Sequence, residues 1–341
     1  WAEGADVYGV GWAVVDTAFS LDQIDSLDNV GSAVDSAVGG GAFVDGALGS
    51  WRRSSFDDNV LLSGGLADGS GMAIVGGSGP DTTFAGSGLV FFRNQLDGAE
   101  AAGAPVSVVG DVDLQDVRIM ENISTSASEV QAGGLWALGS ASGWRGIDIR
   151  GNAVDAPRAQ VYAGGLNVVV ARDDTLANVV VAGNRVVCRA ALSAGIALLG
   201  NQLAVDHLTV HGNTVDCENA ESIAISVWAQ SLDMTHLDVS DNHSFQGAPD
   251  LVDLGADTLG IRWSNVHGNS EDIEREPAFK RGLGNTEADP TYASAAGDRA
   301  ADWDLHPGPG SALIDAGDPD QHDVDGSRAD IGAYGGERWA W

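Results

Sequence analysis

Asparagine recurs along the middle of the chain at nearly regular intervals, and each of these asparagines ends a short apolar run. Successive members of the series are separated by 28, 30, 32, 29, 29 and 27 residues. A repeat of about 20 to 50 residues is typical of a solenoid, in which each repeat is one unit stacked on its neighbours. The series comprises Asn94, Asn122, Asn152, Asn184, Asn213, Asn242 and Asn269.

The residues three and five positions before each asparagine are apolar, with one exception. For Asn152 they are Ile149 and Ile147, and for Asn269 they are Val266 and the exceptional Ser264. Alternation with period two predicts a β-strand that buries one face. Asn suits the following corner because it tolerates left-handed backbone angles and its amide can bond the asparagines of neighbouring coils. The sequence therefore predicts an all-β fold, a parallel β-helix of roughly seven to nine coils.

The repeat divides the chain into three parts. Residues 1–55 lack the asparagine series, and their apolar residues recur at steps of three and four from Leu21 to Val38. This spacing predicts an amphipathic helix, which would cap the first coil or bind a partner. We expect the coils over residues 56–270. An irregular tail, rich in Asp, Pro and Gly, is expected over residues 271–341 and would pack on the solenoid.

Acidic residues greatly outnumber basic ones. The chain of 341 residues has 49 Asp and Glu against 17 Lys and Arg, a formal net charge of −32. This charge disfavours binding to nucleic acid or to anionic membranes, and no apolar stretch predicts membrane insertion. Because no secretory signal precedes Trp1, we expect a mature or trimmed form of an exported protein.

The two cysteines occupy equivalent positions of adjacent coils. Cys188 lies four residues after Asn184, and Cys217 lies four residues after Asn213. Neighbouring strands are about 4.8 Å apart, within the usual Cα separation for a disulfide. In an oxidising compartment the pair would join two coils, and the alternative is a pair of buried thiols that pack as small apolar residues.

A second strand is expected about seventeen residues before each asparagine, and its outward positions are unusually apolar. A continuous exposed apolar stripe is uncommon on a soluble monomer and indicates a surface that something covers. The cover would be a segment of the chain itself, a neighbouring protomer or another surface partner. The stripe comprises Trp136, Leu138, Val169, Leu199 and Trp228.

The strand that directly precedes each asparagine has polar outward positions, and several of these side chains can ionise. Solvent alone would select such a polar face, so the alternative to an active site is a solvated surface. His207 and His236 lie six residues before their asparagines and are expected to stack. The candidates for acid–base chemistry, given perturbed pKa values, are Asp148, Arg150, His211 and Asp238.

The C-terminal region carries a series of short motifs. Residues 289–292, 302–308, 310–319 and 323–336 read DPTY, DWDLHPG, GSALIDAGDP and DVDGSRADIGAYGG. About 50 residues of the chain therefore resemble the ends of right-handed parallel β-helix proteins of the choice-of-anchor Q type. The resemblance implies a right-handed β-helix that is exported or anchored at a bacterial surface, and it implies no particular activity.

Aspartates crowd the same tail, and residues 323–326, Asp-Val-Asp-Gly, resemble part of a calcium loop. Calcium prefers several oxygen ligands at short spacing, and Gly permits a sharp turn between them. The full EF-hand pattern fails, because its twelfth position would be Tyr334. The alternative is a set of turns whose carboxylates cap backbone amides. The candidate calcium ligands are Asp318, Asp320, Asp323, Asp325 and Asp330.

Two functions fit these features. The first is a secreted or cell-surface structural or adhesive protein, a subunit of an extracellular assembly or filament, whose partners are further copies, another surface protein or a glycan. The second is a polysaccharide-binding or polysaccharide-cleaving enzyme, a lyase or glycoside hydrolase acting on acidic glycans. A polygalacturonase-like site would need an Arg-x-Lys motif, but the single lysine, Lys280, has Ala278 two positions before it. The sequence therefore favours the structural function.

Overall fold

The structure is a computed structural model in which consecutive coils stack in parallel. Strands dominate the chain, with one short α-helix in the described residues. The predicted fold class, an all-β parallel β-helix, is confirmed. The structure describes residues 2–16, 18–46, 49–76, 84–140, 143–170, 174–249, 251–253, 257–270 and 277–336.

A complete coil has three extended stretches, whose outer surfaces we call the first, second and third faces. In the coil of Asn152 they are Leu135–Ser140, Trp144–Arg150 and Ala153–Ala163. The second face thus belongs to the strand that ends at the asparagine. Among the described residues, the first and second stretches form a sheet of 17 strands and the third stretches form a sheet of 12.

The strands of both sheets are numbered in chain order. The larger sheet contains β2 (Trp12–Val15), β3 (Phe19–Asp22), β4 (Asp25–Leu27), β6 (Ala42–Asp45), β7 (Gly49–Asp57), β10 (Met72–Val75), β11 (Phe84–Phe92), β14 (Val106–Met120), β17 (Leu135–Ser140), β18 (Trp144–Arg150), β20 (Leu166–Val170), β21 (Asp174–Ala182), β23 (Ile196–His211), β25 (Ile225–Ser240), β27 (Leu251–Asp253), β28 (Thr258–Arg262) and β29 (Asn265–His267). The smaller sheet contains β1 (Ala2–Tyr8), β5 (Val30–Val38), β8 (Val60–Ser63), β9 (Leu66–Asp68), β12 (Gln95–Gly98), β13 (Ala101–Ala102), β15 (Ile123–Ser126), β16 (Glu129–Ala132), β19 (Ala153–Ala163), β22 (Arg185–Ser193), β24 (Thr214–Ala220) and β26 (His243–Ser244).

The tail after the last coil has little regular structure. It contains α1 (Pro277–Arg281), a 3₁₀ turn (Ala300–Asp302), and the antiparallel pair β30 (Tyr292–Ser294) and β31 (Asp304–Pro307). None of the helices in the described part of the chain has the length and apolar character needed to cross a membrane.

A continuous ladder of asparagine side chains runs through the coils. Each asparagine donates from its backbone N–H and from Nδ2 to Oδ1 of the next one, at 2.7–3.1 Å. The ladder begins with Asn29 and Asn59, which the sequence analysis missed, and continues through the seven predicted members to Asn269. Nine asparagines give eight intervals between successive coils.

The left-handed backbone angle that we expected for the asparagine belongs instead to the residue before it. Gly151 has φ 63° and Asp58 has φ 55°, and the equivalent residue is left-handed at every ladder position. A second left-handed bend lies six residues before each asparagine, where Asn178, His207 and His236 have φ of 53°, 54° and 54°. The bend before the asparagine therefore separates the second stretch from the third, and the other bend lies within the second stretch.

The alternating residues ahead of the ladder point into the core as predicted. Ile147 and Ile149 are completely buried, and the same columns supply one continuous hydrophobic cluster along the solenoid. The exceptional Ser264 also points inward. Its Oγ donates to the Arg262 carbonyl and accepts from the N–H of Leu237, so its polar group is satisfied in the core.

The helix predicted near the N-terminus is absent, and this prediction was wrong. The segment forms β3, β4 and β5, which pair in parallel with strands of the following coil. The apolar steps of three and four arise because these three short strands are separated by left-handed bends at Gln23 and Asp28, which interrupt the period of two. Val30, Val34 and Val38 are β-branched and have low helix propensity. Coils are therefore present in the described residues between 2 and 55, where we had expected a separate cap.

A helix closes the opposite end of the solenoid. Phe279 of α1 is 4% exposed and joins the main hydrophobic cluster beyond the last coil. Asn285 holds this end in place, because its Nδ2 donates to the carbonyls of Ile261 and Phe279. The core is therefore covered here by an apolar side chain and by satisfied backbone groups.

The two cysteines are joined in a disulfide. Cys188 and Cys217 pair in register between β22 and β24, and their Cα atoms are 4.6 Å apart. Both side chains lie in the hydrophobic core that packs against the smaller sheet. The bond therefore joins adjacent coils across the third stretch.

Replacing Asn184 by Ala should destabilise the solenoid strongly. The change removes one hydrogen bond to the Ile149 carbonyl and leaves both ladder donors of Asn152 without their acceptor in the core, at a cost of about 1–3 kcal/mol for each unsatisfied donor. We expect the free energy of unfolding, measured by urea denaturation, to fall by more than about 3 kcal/mol. Asn29→Ala is the matched control, because Asn29 is half-buried and begins the described ladder. Equal losses for the two variants would contradict the proposed role of the ladder.

Candidate functional site

The C-terminal tail lies across the second face. The Gly332 N–H donates to the His236 carbonyl, and the Ala333 N–H donates to Thr209 Oγ1, both at 2.9 Å. Asn178 Nδ2 donates in turn to the Ala333 carbonyl at 2.9 Å. The polar side chains of this face therefore bind the backbone of the tail, and the face is covered where the sequence analysis considered solvent or substrate.

Arg150 is a central contact between this face and the tail. Its Nε donates to Asp148 at 2.5 Å, its Nη1 to the Trp303 carbonyl at 2.5 Å and its Nη2 to the Tyr334 hydroxyl at 2.6 Å. Asp148 and Arg150 are each 6% exposed. Burial raises the pKa of Asp148, although the Arg150 guanidinium acts in the opposite direction. The pair is thus a buried ion pair whose remaining donors hold the tail.

Asp238 lies in a second contact with the tail. It accepts hydrogen bonds from the Tyr292 hydroxyl, from Asn265 Nδ2 at 2.8 Å and from Ser240 Oγ at 3.3 Å. Asp238 is completely buried, and burial raises its pKa to about 6 despite these donors. A carboxyl with such a pKa suits acid–base chemistry, but here its oxygens are already occupied by protein donors.

His211 completes the group of four predicted catalytic residues. Its Nδ1 is 3.1 Å from Ser240 Oγ, and the Tyr292 and Trp303 rings pack edge-on against the imidazole. Burial lowers the pKa of His211 to about 4, so the ring is neutral at pH 7. All four candidates therefore lie beneath the tail. The aromatic residues that cover them were not predicted as site residues.

A small cleft reaches the ion pair from the side. It has a volume of about 230 Å³ and is lined in part by Arg118, Arg150, Trp303 and His306. Ligand sites usually measure about 300–1,000 Å³. The cleft is therefore smaller than a usual ligand site.

A cluster of two histidines and one aspartate lies farther along the same face. The His207 and His236 rings stack with centroids 4.3 Å apart, as predicted from their spacing. His236 Nδ1 is 2.7 Å from Asp206 Oδ1, and its Nε2 accepts the Asp318 N–H at 2.8 Å. Burial lowers the pKa of His207, so its imidazole is neutral at pH 7. The sequence analysis did not identify Asp206 as a site residue, although its position directly before His207 indicated that the two side chains would lie close together.

The ligand atoms of this cluster lie within 4.8 Å of one another, and in the described residues it is the one convergent group of three or more metal-ligating side chains. The predicted calcium ligands do not converge in this way. Asp325 accepts from the N–H of Ser327, Asp318 from Asp320, and Asp323 from Asp330 and Gly336. This pattern favours turns that cap backbone amides, and calcium binding by the five aspartates stays a prediction.

The apolar stripe lies on the first face, away from the tail contacts. Val169 and Leu199 are half-buried, whereas Leu138 and Trp228 are 42% and 61% exposed. Trp136 is half-buried and belongs to the neighbouring column, two residues before Leu138. We define the apolar row as the six outward residues that successive strands bring into register, namely Val75, Val109, Leu138, Val169, Leu199 and Trp228.

No family model matches this chain, and no match is found among the curated proteins or the solved structures. The resemblance of the tail to the choice-of-anchor Q type implied a β-helix, and the parallel solenoid is present. Membership of that type has no family match to support it.

Replacing Arg150 by Gln should lower the stability of the protein and weaken the attachment of the tail to the second face. The change leaves Asp148 buried without its counterion, which costs about 3–5 kcal/mol, and removes the bonds to Trp303 and Tyr334. We expect a lower urea midpoint and faster proteolytic cleavage within residues 277–336. Arg53→Gln, at an exposed ion pair with Asp22, should leave both properties close to wild type. Unchanged cleavage in the Arg150 variant would refute its role in holding the tail.

Asp238 should make the protein more stable as the pH falls from 7 towards 4. Its folded pKa of about 6 exceeds the ordinary value of 3.8, so the folded state binds the proton more tightly. This contribution is unfavourable above pH 6 and is relieved as the pH falls through 6, by about 3 kcal/mol in all. Asp238→Asn should lack the gain when urea denaturation is compared at pH 7 and pH 4.5. The same pH dependence in both proteins would exclude Asp238 as its source.

Proposed function

We propose that this protein is an exported structural or adhesive protein of the cell surface or extracellular space, which associates with further copies of itself through the apolar row. The observation that carries the proposal is the row itself. It presents six apolar side chains in register on successive coils, and its Leu138 and Trp228 are the most exposed members. Exposed apolar surface of this continuity is typical of a protein–protein contact.

The chemistry of the row favours a second copy over a glycan. Its first five members are aliphatic, and only Trp228 offers an aromatic face. Aliphatic side chains gain free energy from burial against other apolar groups and offer no hydrogen bonds to sugar hydroxyls. Two solenoids with the same strand spacing can pack their rows side by side, which is the geometry of an isologous contact.

Export is supported by two independent features. A disulfide such as Cys188–Cys217 persists in oxidising compartments outside the cytosol. The tail motifs resemble those of exported or surface-anchored choice-of-anchor Q proteins, and we propose the same localisation for this chain.

An enzyme acting on acidic glycans is the alternative, and the second face argues against it. Arg150, His211 and Asp238 contact the tail, and Asp148 is paired with Arg150. Incubation with alginate, pectate and chondroitin sulfate in the presence of calcium should therefore release no unsaturated, ultraviolet-absorbing ends. Turnover that disappears in His211→Ala would overturn the structural function in favour of a lyase.

Self-association should depend on the exposed members of the row. We expect wild-type protein to associate in sedimentation velocity experiments over a range of concentrations, and the double variant Leu138→Ser, Trp228→Ser to associate at least tenfold more weakly. Each large apolar side chain removed costs about 1.5 kcal/mol or more at such a contact. The matched control is Val34→Ser, Val324→Ser, because these residues are 71% and 66% exposed but lie outside the row. Monomeric wild-type protein at every concentration, or equal association of all three, would refute the proposal.

A further inference from the structure

A cavity of about 400 Å³ lies between the coils and the tail, away from the apolar row. Thr175 and Asn178 line it from the coils, and Asp320 and His322 line it from the tail. His207 forms part of its wall. The volume falls within the usual range for ligand sites, about 300–1,000 Å³.

His207 has one ring nitrogen that is satisfied and one that is not. Nδ1 lies 3.1 Å from the Gly332 carbonyl and donates to it, so Nε2 carries the lone pair of a neutral imidazole. Nε2 is buried and has no hydrogen-bond partner among the described residues, and the side chain is 3% exposed. An orphaned buried acceptor of this kind costs free energy that a bound ion would recover.

Asp206 is placed to share an ion with this nitrogen. The distance from His207 Nε2 to Asp206 Oδ1 is 3.9 Å. Zinc lies about 2.0–2.2 Å from nitrogen and carboxylate oxygen ligands, so two such ligands span at most about 4.2 Å. Only a small adjustment separates the observed distance from a shared coordination site.

His236 orients this carboxylate. Its Nε2 accepts the Asp318 N–H, so its Nδ1 carries the proton and donates to Asp206 Oδ1. With both nitrogens occupied, His236 acts through Asp206, as the residues that support metal ligands commonly do. Its stacking on His207 also fixes the orientation of that ring.

The backbone of the tail leaves room in front of the nitrogen. A Cβ atom added to Gly336 would lie 2.7 Å from His207 Nε2, and one added to Gly335 would lie 2.8 Å from His207 Cε1. Glycine at both positions therefore lets the tail close over the imidazole without filling the space beside it.

We infer that this cavity binds a divalent transition-metal ion of the zinc type, with His207 Nε2 and the Asp206 carboxylate as its ligands and His236 as a positioning residue. An imidazole ligand favours zinc or cobalt over calcium, which prefers oxygen. Asp320 and His322 on the wall of the cavity offer further donor groups, and water would complete the coordination. Because the cavity lies between coil and tail, the ion would strengthen the attachment of the tail.

Zinc titration by calorimetry tests this inference. Excess calcium in the buffer saturates the acidic surface, so that binding through imidazole is measured. We expect wild-type protein to bind one zinc ion per chain and both His207→Asn and Asp206→Asn to bind it at least tenfold more weakly. Asn suits position 207 because Asn178 occupies the equivalent left-handed bend of the adjacent coil, with φ 53°. His243→Asn, at an exposed histidine on another face, should bind zinc as wild type does.

X-ray absorption spectroscopy of the zinc-loaded wild-type protein gives a second measurement that needs no variant to fold. The spectrum should contain imidazole scattering together with oxygen ligands. Absence of zinc binding by wild-type protein, equal affinity in His207→Asn, or a spectrum with oxygen ligands alone would each overturn the inference.

Discussion

The hydrogen-bonded chain of asparagine amides determines the register of the whole solenoid. Each ladder amide between the two ends accepts two bonds from one neighbouring coil, and its Nδ2 donates to the asparagine of the other neighbour and to a backbone carbonyl. A shift of one coil by a single residue would break all of these bonds in the core. Because the corner is fixed, equivalent residues of all coils form columns. Cys188 therefore lies beside Cys217, and His207 lies on His236.

Local sequence patterns predicted the stacked coils and the inward-facing residues of the strand before each asparagine. The ladder from Asn94 onwards and its inward columns follow from alternation ahead of a fixed residue. Asn29 and Asn59 were missed because a buried serine, Ser26 or Ser54, occupies one inward position of each coil. Both serines satisfy their hydroxyls inside the core, so the coil tolerates them while the apolar pattern disappears. The wrongly predicted helix near the N-terminus has a separate cause. The bends at Gln23 and Asp28 interrupt the period of two in that segment.

The position of the tail could not be predicted in this way. Its contacts join residues far apart in sequence, such as Asn178 with Ala333, and nothing in the local pattern distinguishes a polar face in solvent from one that binds a chain. The chemistry of Asp148, Arg150, His211 and Asp238 was therefore ambiguous. The pKa shifts of Asp148, His211 and Asp238 result chiefly from burial, to which the tail contributes. Perturbed pKa values arise in structural networks as well as in active sites.

The first face is apolar and the second face is polar, and each therefore suits a different kind of covering segment. The difference lies in whether the backbone of that segment is already hydrogen-bonded. An irregular chain has unpaired N–H and C=O groups, and these must find partners when they are buried. The second face supplies such partners through Asn178, Thr209 and Arg150. The apolar row offers none, so an irregular tail that covered it would leave its own backbone unsatisfied. A regular surface, whose backbone is already paired within its sheets, can cover the row without that cost, and the side of a second solenoid is such a surface.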